Sequence, residues 1–542
     1  MKTLFLRLSI LLLITTIFSC NKKDEPSLLD PIITEFTIPE KNIGDNPFEL
    51  TPPKSTSTGE FSYSSSNKNV ATISGNTVTI VGKGITTISA TQAATENFTS
   101  GKISSEFIVT DPSTIISTLY VSTTGNDSNN GSRFKPFLTI NKAAEVAVAG
   151  DIVVIKSGTY YPTSKISPSN SGTSNNPITY LAEVKGEVII DGSNSTDGNS
   201  SDRLGLITII GVNESSPKSW IVIDGLTINN AKWAGIMARY SDNIKIKNCH
   251  TKNTGASGII GANSSNITVL SNKVEQACYI SDKTQKTNEC ITMASVASFE
   301  VAYNIVSDRL LDLNIGGEGI DAKNSCSNGK IHHNTVFNLF RLGLYVDAYS
   351  KDITNVEVYA NTVYNCSSGI IVASEEGGTA TDIKVYDNLV YNIKTAGIRI
   401  AGYLNNGPLK NISIYQNTVV RCGLDKTWTN WENCGLLVEA DNPENTNFII
   451  RNNIFAESTN QIRWKNQSYA TIDNNIVNGA TTASGTNAIT GDPLFKNSSA
   501  ADFMLTENSP AKDKAVGEPM ATIDLNDYTR DSKPDLGAFE YH

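Results

Sequence analysis

The chain has 542 residues, of which 54 are acidic and 44 basic, for a formal net charge of −10. That balance excludes general affinity for nucleic acid, which needs clustered Lys and Arg. The four histidines include the terminal His542, and the eight cysteines lack CxxC spacing, so a His-rich metal site is excluded as well. No HExxH, Walker loop or dinucleotide fingerprint is present. The cysteines read as small apolar fillers, and Cys249, Cys366 and Cys422 fall at similar repeat positions.

In chain order the first element is an export signal. Lys2 and Arg7 precede an apolar run from Leu8 to Phe18, too short and wrongly flanked to span a membrane. The chain turns polar at Asn21-Lys22-Lys23-Asp24-Glu25. Small Ser19 before Cys20 resembles the lipobox of bacterial lipoproteins. That resemblance implies that residues 1–19 are removed and that Cys20 becomes the lipidated first residue. The NKKDE stretch resembles the surface-export tag of Bacteroidetes lipoproteins. Both imply an outer-membrane lipoprotein, facing the cell surface or the periplasm, held to the membrane and not through it. Residues 20–33 read as a tether.

Residues 34–113 alternate in short strands. Ser66-Asn67-Lys68-Asn69-Val70-Ala71-Thr72-Ile73 leads to Thr77-Val78-Thr79-Ile80-Val81, and Gly82-Lys83-Gly84 turns into Thr86-Thr87-Ile88-Ser89-Ala90. Strands this short with Gly and Asn turns predict a small β-sandwich. The stretch resembles the bacterial Ig-like type 2 domain, which implies a spacer or adhesive module.

From Leu119 a longer domain begins and runs to 541. Thr139 to Ala149 predicts one short helix with Ile140, Ala143, Ala144 and Ala147 on one side. After it, similar strands recur and end in asparagine: Ile244 to Asn248, Val356 to Asn361, Ile383 to Asn388 and Ile412 to Asn417. Related units end at Asn272, Asn304, Asn334, Asn453 and Asn475, spaced 22 to 36 residues apart. Each unit is too short to bury its own face, so the units must stack. Asparagine at one place in successive coils predicts a hydrogen-bonded ladder in a turn. A seven-bladed propeller would need four strands per repeat, more than about 27 residues supply. The opening of this domain resembles secreted right-handed parallel β-helix proteins, with the helix as the cap. The segment from Asp524 to Tyr541 resembles their closing segment and is expected to cover the last coil. The fold expected is therefore all-β, a right-handed parallel β-helix of roughly ten coils after an Ig-like sandwich.

A second series, in phase with the first, begins at Gly235, Gly258, Gly319, Gly343, Gly369, Gly397 and Gly435. Period-2 alternation sends Ile320/Ala322, Leu344/Val346 and their equivalents inward, so the residues between them face outward. With coils about 4.8 Å apart, Asp321 and Lys323 are expected beside Tyr345 and Asp347. Glu375 and Arg399 follow on later coils, and Glu318 and Arg341 enter from preceding turns. Arg239, Tyr349, Tyr403 and Glu439 share the face. Trp428 and Trp431 stand in the longest insertion and are expected to form a wall or platform for sugar rings. The plain alternative is a solvated face in which Lys323 and Asp347 make a cross-strand pair, worth about 0.2–1 kcal/mol.

A β-helix with such a face resembles polysaccharide lyases and β-helical glycoside hydrolases. Gly317-Glu318-Gly319-Ile320-Asp321-Ala322-Lys323 is similar to the acid–acid–lysine pattern of the alginate and chondroitin lyase family. The resemblance implies β-elimination on a uronate-containing, anionic polysaccharide. Glu318, Asp321 and Asp347 would be calcium ligands, Lys323 the base, and Arg341 or Arg399 the acid. Oxygen ligands of this kind suit Ca2+ by type. A lysine flanked by Arg239 and Arg399 is expected to have a lowered pKa. The competing reading is a glycoside hydrolase with paired carboxyls from Asp321, Asp347 and Glu375 acting on an anionic or sulfated glycan. Such pairs stand about 5 to 5.5 Å apart for retention and about 6.5 to 9.5 Å for inversion. A third reading is a monomeric, non-catalytic glycan-binding or adhesion protein.

Overall fold

The computed structural model describes residues 28–110, 117–197, 202–280, 288–309, 316–425, 432–464 and 468–542. Cys20, Trp428 and Trp431 lie outside the described residues. Two compact units divide the chain, one up to Ile115 and one from Ile116.

In the first unit a sheet of Lys41–Asn42, Gly101–Thr110, Gly84–Gln92 and Phe61–Ser65 accompanies a sheet of Phe48–Glu49, Thr77–Ile80 and Ala71–Ser74. Pairing is largely antiparallel. Phe36, Leu50, Val70, Val78, Ile88 and Phe107 close one small core. The short alternating segments pack as two layers because each strand has one apolar row to bury.

The second unit is a right-handed parallel β-helix. Each middle coil supplies three strands. Ile320–Lys323, Ser327–His332 and Thr335–Leu339 make one coil, and Leu344–Asp347, Ile353–Tyr359 and Thr362–Cys366 the next. The first two strands of every coil join a 21-stranded parallel sheet, and the third joins a 13-stranded one. Inward Ile, Val and Leu stack into one continuous core, each side chain contributing about 1.5–3 kcal/mol on burial. The seven described cysteines are all buried and unbridged, as filler residues should be. The cap helix is Ile140–Val146, capped by Thr139, whose hydroxyl accepts from the Lys142 amide. Ile140, Ala143, Ala144 and Ala147 face the core.

The asparagine ladder is present. Asn334, Asn361, Asn388 and Asn417 stack, each donating side-chain and backbone N–H bonds of 2.9–3.1 Å to the next residue's Oδ1. It runs from Asn272 to Asn475. Two details differ from the sequence expectation. One coil before Asn272 the ladder place is filled by Cys249, whose amide donates to Asn272, while Asn248 pairs with Asp224 beside it. Coils also outnumber the expected ten, because the sheet of third strands already begins at Gly158–Tyr160 and has thirteen members. The early coils carry no asparagine at the ladder place, so nothing marked them.

The closing segment covers more than the last coil. It lies along the flank, where Leu505, Ala511 and Leu536 pack on Ile454, Ala456 and Ile476. The buried Arg530 guanidinium reaches Asp387 at 2.7 Å and Glu540 at 3.1 Å. The outward side chains of the third strands are apolar here and need cover, which the segment supplies.

Candidate functional site

Strand register brings together the residues that the glycine series singled out. Asp321 pairs with Tyr345 and Lys323 with Asp347 across adjacent coils. Glycine recurs before these strands because the coils approach closely there. A Cβ on Gly319 would stand 2.3 Å from the Gly343 carbonyl oxygen and 2.6 Å from Val336.

These side chains point away from the main core, yet they are not solvated. Asp321 is 1% exposed, and Asp347 and Glu318 are each 5% exposed. The turn ahead of each strand folds over the face. Leu342 from one such turn packs with Tyr345, Ile371, Ala373 and Ala401, and Tyr403 closes the edge. Trp233 and Ala256 cover Met237 and Ile260 in the same way on earlier coils. A purely solubilising charged face is therefore ruled out.

The turn also supplies an acid that the sequence reading missed. Glu289 accepts a 2.6 Å hydrogen bond from the Lys323 ammonium and a 3.0 Å bond from Thr292. Its place in the coil matches that of Glu318, because the Cys290 amide donates to the Glu318 carbonyl just as the Gly319 amide donates to Leu342. Cys290 stands where other coils have glycine, so a series indexed on glycine passed over this coil. Glu318 in turn is bound by Arg341 at 2.7 Å. Glu375 is closer than its coil count implied, since it accepts a hydrogen bond from the Tyr345 hydroxyl.

Glu289, Glu318, Asp321, Asp347 and Glu375 thus form one group of five carboxyls, balanced by Lys323 and Arg341. Burial first, and then the charge of Glu375, push Asp347 up to about 8. Burial and Glu289 hold Asp321 well above the usual carboxylate range and raise Glu318 too. Burial works to lower Lys323, but Glu289 and Asp321 outweigh it and keep the ammonium charged above its ordinary range. One oxygen each of Glu318, Asp321 and Asp347 is buried without a hydrogen-bond partner.

Other expected members stand apart. Arg239 shares the row of Lys323 but three coils away, beyond Ala262 and Ala294, and lies over the Tyr240 ring at 5.0 Å. Arg399 is two coils past Tyr345. It is held by Glu439 at 2.5 Å and Glu432 at 3.4 Å, over the Tyr403 ring at 5.7 Å. Tyr349 is exposed at the edge. Lys323 is therefore flanked by acids and not by Arg239 and Arg399, and its pKa is raised where a lowered one was expected. The physical reason is local: each arginine already has its own partner on its own coils.

The oxygens left without partners on Glu318, Asp321 and Asp347 fit a hard cation in type. Among the described residues, however, no three His, Cys, Asp or Glu side chains converge to hold a metal.

Comparisons with known proteins agree with this architecture. A family profile described as "Pel9A-like, right handed beta helix region" matches residues 119–288, and one described as "Right handed beta helix region" matches 207–419. A "Disaggregatase related" profile matches 380–520. The chain therefore carries a right-handed parallel β-helix, similar to Pel9A-like β-helix regions over residues 119–288. The Bacillus subtilis protein YwoF is 38% identical over 112 residues, 21% of this chain and 22% of that protein. The Emericella nidulans pectate lyase PEL9 is 37% identical over 81 residues, 15% of this chain and 20% of that enzyme. The matches thus span about a fifth of each relative. Two solved structures share the fold at a TM-score of 0.50. Pectate lyase Pel9A is 15% identical and covers 79% of this chain and 98% of its own. XylC, solved in complex with xylose, is 13% identical and covers 78% and 98%. The Pel9A-like match ends at 288, one residue before Glu289, so it concerns the scaffold and not the acid cluster.

Proposed function

We propose that the protein is a carbohydrate-active enzyme that hydrolyses glycosidic bonds of a polysaccharide at the buried carboxyl cluster. The observation that carries this reading is the imbalance of five carboxyls against Lys323 and Arg341 in a buried group. Like charges this close in a low-dielectric site cannot all ionise, so protons are retained there at neutral pH. Asp347 is the proton donor to the leaving oxygen. Glu375, oriented by the Tyr345 hydroxyl, supplies the partner carboxylate, since burial and Glu289 raise Asp321 well above the usual carboxylate range. Lys323 and Arg341 hold Glu289 and Glu318 in place and keep the cluster from over-accumulating negative charge.

β-Elimination on a uronate-containing, anionic chain is the second reading, favoured by the three oxygens without partners and by the lyase-like scaffold. Lys323 would then be the base, with Arg341 or Arg399 at the leaving oxygen. It must first lose the proton that Glu289 and Asp321 stabilise. Ca2+ would offset those acids if it bound beside them, but Glu318, Asp321 and Asp347 do not converge on one point, so no step is routed through it. Incubation with neutral, uronate-containing and sulfated glycans tests both readings through reducing ends and the ultraviolet absorbance of a conjugated double bond. Reducing ends alone are expected. Both signals together, abolished by EDTA, would replace hydrolysis by elimination. Lys323→Ala separates them further: hydrolysis should show mainly a raised KM, whereas elimination should lose about 10²–10⁴ in turnover. Glycan binding with neither signal would leave an adhesion module.

We also propose an acylated Cys20 that anchors the protein to the outer membrane, with the Ig-like unit as spacer. Mass spectrometry of the mature N-terminus tests this, and a free N-terminus at any other residue contradicts it.

A further inference from the structure

Around the corner from the acid cluster, a groove of about 560 Å3 runs from Trp220 past Asn243 and Asn266 to Asn328, with Lys245 and Lys330 on its wall. Its edge is a column of residues, one per coil. Register sets Asn243, Asn266, Ser298, Asn328, Asn355, Asp382, Asn411 and Asn447 in line. All have φ between 51° and 60°, the left-handed region. Short polar side chains visit that region at the least cost, because they can hydrogen-bond the local backbone.

Trp220 opens the same column. Its neighbours Ser219 and Ile221 pair with Asp242 and Ile244, which places it in line with Asn243, and its φ is 58°. A bulky side chain is an outlier in this conformation. The indole is also half-buried rather than packed in the core. The next eight coils, from Asn243 to Asn447, use Asn, Asp or Ser at this place, so the fold does not require an aromatic ring there. Strain of this kind persists where something other than packing is gained.

We propose that this groove is a non-catalytic binding site for a polysaccharide chain. Trp220 stacks on one sugar ring, and the units that follow meet the Oδ1 of Asn243 and Asn266, whose NH2 groups already donate to Asp242, and the NH2 of Asn328, whose Oδ1 already accepts from Asn355. Coils rise by about 4.8 Å, close to the length of one sugar unit, so an extended chain along the helix axis meets one column residue per unit. Glu300, the acid in the groove, is drawn to His332 at 3.1 Å. Lys245 and Lys330 are exposed, which favours an anionic glycan. This site is independent of the chemistry assigned to the acid cluster.

The test is native electrophoresis of the full chain in gels containing polygalacturonate, alginate or xylan. Wild type is expected to be retarded by at least one of the two acidic glycans. Trp220→Asn places the column's own residue at this position and is expected to migrate as in a glycan-free gel, while still melting cooperatively. Trp220→Phe is expected to restore retardation, and Lys245→Ser with Lys330→Ser to weaken it in the acidic gels alone. Asp347→Asn should be retarded as wild type even though its cleavage activity is lost. No retardation of wild type in any gel would overturn the site. So would retardation that survives Trp220→Asn, or that depends on Asp347 instead.

Discussion

From Asn272 to Asn453 each ladder amide passes a hydrogen bond to the asparagine of the next coil and accepts from the coil before, and no ladder asparagine leaves a buried polar atom without a partner. On another face of the same coils, Glu318, Asp321 and Asp347 are equally buried but each keeps an oxygen unpartnered. The ladder stacks one asparagine per coil in a single row, whereas the acids come from different rows, Asp321 beside Tyr345 and Asp347 beside Lys323. The ladder is closed, because an amide carries donor and acceptor together and so repeats indefinitely. Ionised carboxyls only accept, so crowding them without enough donors stores unfavourable energy. A closed polar row specifies the fold, whereas the open group of acids is the one that the proposed chemistry uses.

The largest effect expected from this contrast is on catalysis. Asp347→Asn should lower turnover by about 10² to 10⁴, yet melt at or above the wild-type temperature at neutral pH, since it removes a carboxyl from a crowded acidic group. Parallel turnover and melting measurements check this, and a large fall in melting temperature would make Asp347 a structural residue. Next is Asn361→Leu in the ladder. It strips the Asn334 backbone and side-chain N–H groups of their acceptor and takes one donor from each of the Ile331 and Tyr359 carbonyls. At about 1–3 kcal/mol for each unmet group, the loss should reach about 3 kcal/mol or more. Thermal melting reads it, and a neutral result would remove the ladder from the account of stability.

The smallest effect is the response to pH. The folded-state pKa of Asp347, about 8, lies above its ordinary value of 3.8. Folding therefore favours the protonated form. That contribution to stability is complete below the ordinary value and is lost as pH rises through about 8. The melting temperature should fall from about pH 4 to about pH 8, and less steeply in Asp347→Asn. The ladder amides do not titrate, so Asn361→Leu should melt lower without changing the slope. An unchanged slope in Asp347→Asn would deny the carboxyl its retained proton.

The repeat positions were legible because spacing restricts side chains strongly. Only small residues fit where Gly319 meets Gly343, and an amide both donates and accepts, so Gly and Asn mark the coils in the chain itself. The register of Asp321 with Tyr345 and of Lys323 with Asp347 followed from that alone. Glu289 was not legible, because Cys290 replaces the marker glycine in its coil. The burial of the outward face was hidden too. It depends on turns such as the one holding Leu342, whose path no periodicity describes. The partners of Lys323 and Arg399 were misjudged for the same reason, since Glu289 and Glu432 come from those turns.

The central claim is that the acid cluster adds water across a glycosidic bond. Cleavage of a responsive glycan in heavy-oxygen water, followed by mass spectrometry of the products, tests it most directly. Hydrolysis predicts one labelled oxygen for each bond cut and saturated ends on both fragments. Unlabelled products with an unsaturated end would contradict the account and move the chemistry to elimination by Lys323.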